Sequence, residues 1–172
     1  MNNLMRFNKA LDWEPIDRLM TYDFLDNKKI LETHGGYDDT RDYSFDELIE
    51  INGKAWKSIG VDVTRFIYDP ASHWMGTKIE NWIRFFHVNP ENWKVSQSGE
   101  TAWISGRPFK TLAELEKHMP EKPVYEEVRD WFQPSFKHMQ EALSAYDVVL
   151  IGAVEGPITD AYSYMDMELF SE

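Results

Sequence analysis

Residues Val148 to Val154 form an unbroken apolar run, bounded by Asp147 before it and by Glu155-Gly156-Pro157 after it. A strand that is apolar on both faces must be covered on both faces, which is the situation of a parallel strand under helices. The run follows a long helical pattern. From Val124 to Tyr146, the apolar residues Val128, Phe132, Phe136, Met139 and Leu143 recur on one helical face together with Trp131 and the two ends. Pro134 lies inside this stretch and is expected to kink it, because it lacks the N–H that the helix ladder uses.

The same order, helix then apolar strand, occurs earlier. Ser44 and Glu47 have the spacing of a capping box. Phe45, Leu48, Ile49, Ala55, Trp56 and Ile59 then share a helical face, and Gly60 stands where a helix stops. Val61 to Tyr68 is rich in β-branched and aromatic residues and reads as a strand closed by Asp69-Pro70. Nearer the start, Leu4, Phe7, Ala10 and Leu11 predict a helix over Asn3–Trp13, ended by Glu14-Pro15. Leu19–Phe24 reads as a short strand, and Asp26–Arg41 as a loop with one helical turn around Lys29. Between the second and third strands, alternation from Trp93 to Ile104 around Gln97-Ser98-Gly99-Glu100 predicts a β-hairpin. Thr111 and Glu114 make a second capping box, opening a helix that carries Leu112, Leu115 and Met119 and ends at Pro120. Thr159 can cap a last helix running to Glu172.

This alternation predicts a parallel α/β architecture. Three strands cannot close a barrel, and a (β/α)8 barrel takes roughly 250 residues. The 172 residues are therefore expected to be one domain, 1–172: the N-terminal part of a TIM barrel with an inserted hairpin, truncated before closure. The alternative is a small open three-stranded α/β domain. The two differ in stability: an unclosed barrel exposes strand edges and should be loosely folded, whereas a complete small domain should unfold cooperatively.

Charge narrows the partners. Thirty acidic against eighteen basic residues give a formal net charge of -12, a field that repels phosphate backbones and argues against nucleic acid. There is no cysteine, so neither disulfides nor thiolate metal sites are available here. Charged residues break every apolar run of the N-terminus, which is neither a signal peptide nor a spanning helix. No membrane association is expected, and the cytoplasm is the default compartment.

In a parallel α/β sheet, sites form at the carboxyl ends of the strands. Those positions are Tyr22-Asp23-Phe24, then Tyr68-Asp69-Pro70 with His73 just beyond, then Glu155-Gly156-Pro157. Each strand delivers a carboxylate to one rim. Grouped carboxylates can bind a cation, accept N–H donors, or serve as acid and base with separated pKa values. Taken singly, each is better explained as a cap for the helix that follows; for Asp69 the resemblance below reverses that. The other histidines, His34, His87, His118 and His138, lack ligand spacing and read as surface or packing residues. No phosphate-binding glycine loop and no G-x-S-x-G is present.

Three stretches resemble the uroporphyrinogen decarboxylase family: Arg6 to Leu11 followed by Asp17-Arg18, Gly60 to Pro70, and Gly152 to Met165, where Gly152, Pro157 and Thr159 fall in register with the motif G-F-x-G-x-P-W-T. The hairpin and the stretch Arg107 to Pro120 also look like a region that several members carry. The resemblance covers nearly the whole chain but only the front of the family fold. It implies that Asp69 is the pocket aspartate, a carboxylate that can gather several N–H donors. The strand-end residues Asp23, His73, Glu155 and Gly156, with Tyr162 and Tyr164 beside the family's tyrosine position, are the candidate substrate contacts.

The family has two chemistries: decarboxylation of a porphyrinogen without a cofactor, and methyl transfer with corrinoid proteins, using zinc or tetrahydrofolate. True decarboxylases carry the arginine-containing motif M-R-Q-A-G-R-Y-L-P after the first strand, where this chain reads Thr21-Tyr22-Asp23-Phe24-Leu25-Asp26. Glu155 replaces a family glycine, and Ser163 replaces a substrate-contacting tyrosine. These departures imply a methyltransferase-like member whose substrate is a methyl donor or acceptor rather than a tetrapyrrole. The family's zinc ligands lie in the second half of its fold, so this segment is expected to bind no zinc and to be inactive alone. A decarboxylase of haem synthesis, and a non-enzymatic domain that binds through the hairpin Trp93–Trp103, are the competing readings.

Overall fold

The computed structural model describes residues 1–24, 26–71, 94–98, 101–107, 109–118, 124–153, 165 and 169. The chain divides into two compact units, Met1–Ala71 with Val124–Ala153, and Ser72–Pro123 with Val154–Glu172.

The first unit is mixed α/β. It contains α1 (Asn3–Leu11), α2 (Lys28–Ile30) running into a π-helical turn (Leu31–Gly35), α3 (Phe45–Ile59), β1 (Val63–Thr64), a long helix Tyr125–Ser144, and a strand Val149–Leu150. Within the second unit are β2 (Lys94–Ser98), β3 (Thr101–Gly106) and α4 (Leu112–His118). The long helix is therefore α5 and the last strand β4.

Helix α3 forms for the reasons its sequence gives. The Glu47 N–H donates to Ser44 Oγ at 3.3 Å and the Ser44 N–H donates to Glu47 Oε2 at 2.8 Å, completing the capping box. Gly60 ends the helix in the left-handed region, φ 81°. The expected helical turn around Lys29 is present as α2, and it runs on into the π-helical turn Leu31–Gly35 where only loop was expected. Asn27 caps it through the Lys29 N–H at 2.9 Å, and it widens to π geometry before ending at Gly36. Gly35 lies so close to α3 that a Cβ there would be 2.5 Å from the Ile51 carbonyl oxygen. Only glycine permits that approach.

Parallel pairing joins three segments. Val63 pairs with Val149 and Thr64 with Leu150, while Tyr22 bridges to Val63, also in parallel. The order across the sheet is thus Tyr22, β1, β4, the order of the chain. Backbone bonds confirm the register: Asp23 N–H to Val63 O at 3.1 Å, Val149 N–H to Asp62 O at 2.9 Å, and Ile151 N–H to Thr64 O at 2.9 Å. The paired lengths are shorter than the expected strands Leu19–Phe24, Val61–Tyr68 and Val148–Val154. β-ladder hydrogen bonds define a strand, and apolar character alone overstates its length. The core between sheet and helices gathers Ile49, Trp56, Val61, Leu143, Val148 and Leu150.

Two expectations for helical faces are corrected. In α1 the residues turned inward are Asn3 and Arg6, while Leu4 and Leu11 are exposed. The polar groups win because each finds a charged or hydrogen-bonding partner at the amino end of the sheet, Asp147 for Asn3 and Asp17 for Arg6. In α5 the expected apolar face is buried only toward its C-terminal half: Leu143 is fully buried, but Val124, Val128 and Phe132 are exposed. Pro134 sits within α5 without ending it.

In the second unit, β2 and β3 pair antiparallel, with Ser98 opposite Thr101. The expected hairpin is present, and its strand continues through Gln97-Ser98. Ahead of α4, Thr111 Oγ1 accepts the Glu114 N–H at 3.2 Å. The Glu114 carboxylate receives the Lys110 N–H at 2.9 Å, one residue earlier than a capping box requires. Phe109 is buried, its ring 6.1 Å from that of His118. The expected helix after Thr159 lies outside the described residues.

Candidate functional site

The two ends of the parallel sheet carry different chemistry. At the amino end, a polar clasp holds α1 to the sheet. Arg6 grips Asp17 with two bonds, Nε to Oδ1 at 2.7 Å and Nη2 to Oδ2 at 3.0 Å, and also donates to Met1 O and Asn3 Oδ1. Arg18 grips buried Asp62 the same way, at 2.6 Å on both oxygens. Asn3 closes the set through Asp147, its backbone N–H donating to Oδ1 at 2.8 Å and its amide to the carbonyl at 2.5 Å. The hydrogen bond from Arg6 holds the Asp17 carboxyl down at about 2. Hydrogen bonds from Arg18, reinforced by Thr21, hold Asp62 well below the usual carboxylate range. Arg6, Asp17 and Arg18, which open the family-like pattern, are thus structural in this chain: they seat the first helix away from the carboxyl end of the strands.

At the carboxyl end, Asp69 follows β1 and is half-buried. One of its oxygens accepts the Ala71 N–H at 2.9 Å, an Asx turn that turns the chain. The backbone just before it is held by Asn52 of α3, which is fully buried. Asn52 Oδ1 accepts the Tyr68 N–H at 3.0 Å, while its amide donates to Tyr68 O and to Leu48 O, both at 2.8 Å. Every polar atom of the Asn52 side chain is used, and the clamp fixes where Asp69 emerges. Tyr37 packs nearby in a buried position. Burial, then the charge of Asp69, raises its phenol above the ordinary value. Its ring stacks on Tyr43 at 5.0 Å.

Asp23 lies at the end of the neighbouring strand and is exposed. Its Oδ1 accepts the Phe24 N–H at 2.8 Å, a local turn contact. Among the described residues, no hydrogen bond or ion pair joins Asp23 to Asp69. Between these strand ends is a stack: the Arg65 guanidinium lies 4.0 Å from the ring centroid of Phe24, which is 5.8 Å from the Phe66 ring and 6.4 Å from the Tyr22 ring. The rim therefore carries a cation that its acidic sequence neighbours conceal. His73, Glu155, Gly156, Tyr162 and Tyr164 lie outside the described residues.

Asn52, Tyr37 and Arg65 were not singled out from the sequence. Asn52 had a signal: it falls in phase with Leu48, Ile49, Ala55 and Trp56 on the apolar face of α3, and a polar residue there must be satisfied internally. Tyr37 and Arg65 had none, since both are defined by contacts across the fold.

No three or more His, Asp or Glu side chains come together as a metal site among the described residues. No helix among those residues is long and apolar enough to cross a membrane. No family model, curated protein or solved structure matches the chain.

Proposed function

We propose that the first unit is the opening of a (β/α)8 barrel of the uroporphyrinogen decarboxylase type, and that the whole protein is an enzyme of its methyltransferase-like branch, working in the cytoplasm with a corrinoid protein. One observation carries the reading. Tyr22, Val63 and Val149 lie side by side in parallel and in chain order, and a carboxylate follows the carboxyl end of each of the first two strands. That is how a barrel begins and where barrels keep their sites.

In this reading Asp69 is the pocket acid. Its exit is fixed by the Asn52 clamp, so its carboxylate meets a substrate N–H or a developing positive charge without reorganising, the condition under which electrostatic stabilisation is largest. The Tyr37 phenol, buried in the same cluster as Tyr68, feels the Asp69 charge. The acidic stretch Asp23 to Asp26 replaces the arginines of true decarboxylases, which disfavours an octacarboxylate substrate.

The test is turnover by the protein expressed at its full coding length. Loss of methylcobalamin absorbance with a thiol acceptor, abolished by Asp69→Asn, supports the proposal. Release of CO2 from uroporphyrinogen instead moves the chain to the decarboxylase branch. Neither activity, under conditions where the protein melts cooperatively, refutes the enzyme reading in favour of a binding domain.

A further inference from the structure

On the helix side of the sheet, at the carboxyl ends of β1 and β4, is a solvent-open cavity of about 230 Å³. It is lined by Phe66, Phe132, Phe136, Met139 and Leu150, with Arg65 as its charged member. Open to solvent, a space this size sets water against apolar side chains, and an apolar ring that displaces that water is favoured. Phe132 and Phe136 stack at 5.3 Å, and Phe132 remains 46% exposed, so a planar wall stands open to solvent.

Arg65 is the second observation, and it is independent of the first. In a chain of net charge -12, Arg6, Arg18, Arg41 and Arg129 each hold a carboxylate. Among the described residues Arg65 holds none. Its guanidinium carbon lies 4.0 Å over the Phe24 ring centroid, a contact with the ring face that spends none of the N–H groups on a carboxylate and suits a two-pronged acceptor.

We propose that this cavity binds a small aromatic carboxylate, its ring against Phe132, Phe136 and Met139 and its carboxylate on Arg65. The volume sets the size. Sites for drug-sized ligands run from about 300 to 1,000 Å³, so 230 Å³ suits a single ring with a short acid arm. The sign of the charge follows from Arg65, and the flat fork of guanidinium on carboxylate favours that acid over a cation or a neutral polar group. The inference does not depend on the barrel reading, because every lining residue belongs to the first unit.

Gly152 provides a block. Among the described residues, a Cβ built there would meet only Phe136 Cζ, at 4.0 Å, and its backbone is outside the left-handed region. Gly152→Leu should therefore fill the cavity mouth without strain. The probes are 3-phenylpropionate and 3-phenylpropanol, titrated by calorimetry into the full chain, with a thermal melt of each variant as the folding control. The wild type should bind the acid at least about tenfold more tightly than the alcohol, as a charge-assisted pair implies. Arg65→Met should bring the acid down to the alcohol's affinity and leave the alcohol unchanged. Gly152→Leu should lose both. Equal affinity for acid and alcohol, no binding of either by the folded wild type, a preference that survives Arg65→Met, or unaltered binding by Gly152→Leu would each overturn the proposal.

Discussion

Asn52 offers the sharpest test of how this fold positions its rim. Replacing it by alanine removes three hydrogen bonds, to Tyr68 N–H, Tyr68 O and Leu48 O, from a fully buried side chain. Each is worth about 0.5–1.5 kcal/mol net, roughly 3 kcal/mol together. Alanine recovers about 0.6 kcal/mol through helix propensity, leaving a loss of roughly 2 kcal/mol. With a urea slope of about 1–3 kcal/mol/M, the unfolding midpoint should fall by about 1 M. Asn52→Asp should be worse at neutral pH, since it sets a carboxylate against two carbonyl oxygens that the amide had been donating to. Burial and those carbonyls would raise that acid's folded pKa above its unfolded value. The variant's deficit relative to wild type should therefore be largest at neutral pH and shrink as pH falls and the acid regains a proton to donate. The assay is urea unfolding followed by tryptophan fluorescence at pH 7 and pH 5. Wild-type midpoints for either variant, or an Asn52→Asp deficit that grows on acidification, would refute the clamp.

Other outcomes follow from the same contacts. Asp17 and Asp62 both titrate lower in the folded chain than in the unfolded one, whose aspartates titrate near about 3.9. Their contribution is therefore complete above that value and lost as pH falls, through about 2 for Asp17 and through a depressed value for Asp62. Melting temperature should drop below about pH 4, and Asp62→Asn should flatten that drop. Gly53→Ala would place a Cβ 2.8 Å from Cε2 and Cγ of Tyr146 and closer still to Cδ2. Overpacking of about 1–3 kcal/mol opposes a helix gain of about 1 kcal/mol, so a lower melting temperature is expected. Leu143→Ala, at a fully buried site, should cost about 2–5 kcal/mol, read by the same urea titration. Asp69→Asn should keep the wild-type melting temperature within a few degrees while removing turnover, since its turn contact is one that asparagine can also make.

What the sequence revealed depended on whether a signal was local. Helix α3 was legible because its start, stripe and stop, Ser44 with Glu47, the apolar face and Gly60, all act within a few residues. The parallel character of the sheet was legible from apolar runs that need cover on both faces. Strand lengths were not, because pairing depends on a neighbour that the run itself does not specify. The face of α1 was not legible for a physical reason: Leu4 and Leu11 stay exposed, because Arg6 and Asn3 are buried against Asp17, past the end of the helix, and Asp147, far along the chain. Asp69 was legible as a strand-end acid. The groups around it, Asn52 and Tyr37, required the fold, as did Arg65 beside Phe24.

The account rests on Tyr22, β1 and β4 being the first three strands of a closed barrel, and the most direct measurement is the reading frame beyond the codon for Glu172. The account predicts that it continues through about five more strand–helix units, with a His-x-Cys and a later Cys if the resemblance to the zinc-dependent methyltransferases is sound. A stop codon immediately after Glu172 would contradict it: three parallel segments cannot close a barrel in one chain, and the rim of Asp23, Arg65 and Asp69 would then belong to an open sheet that binds rather than transforms.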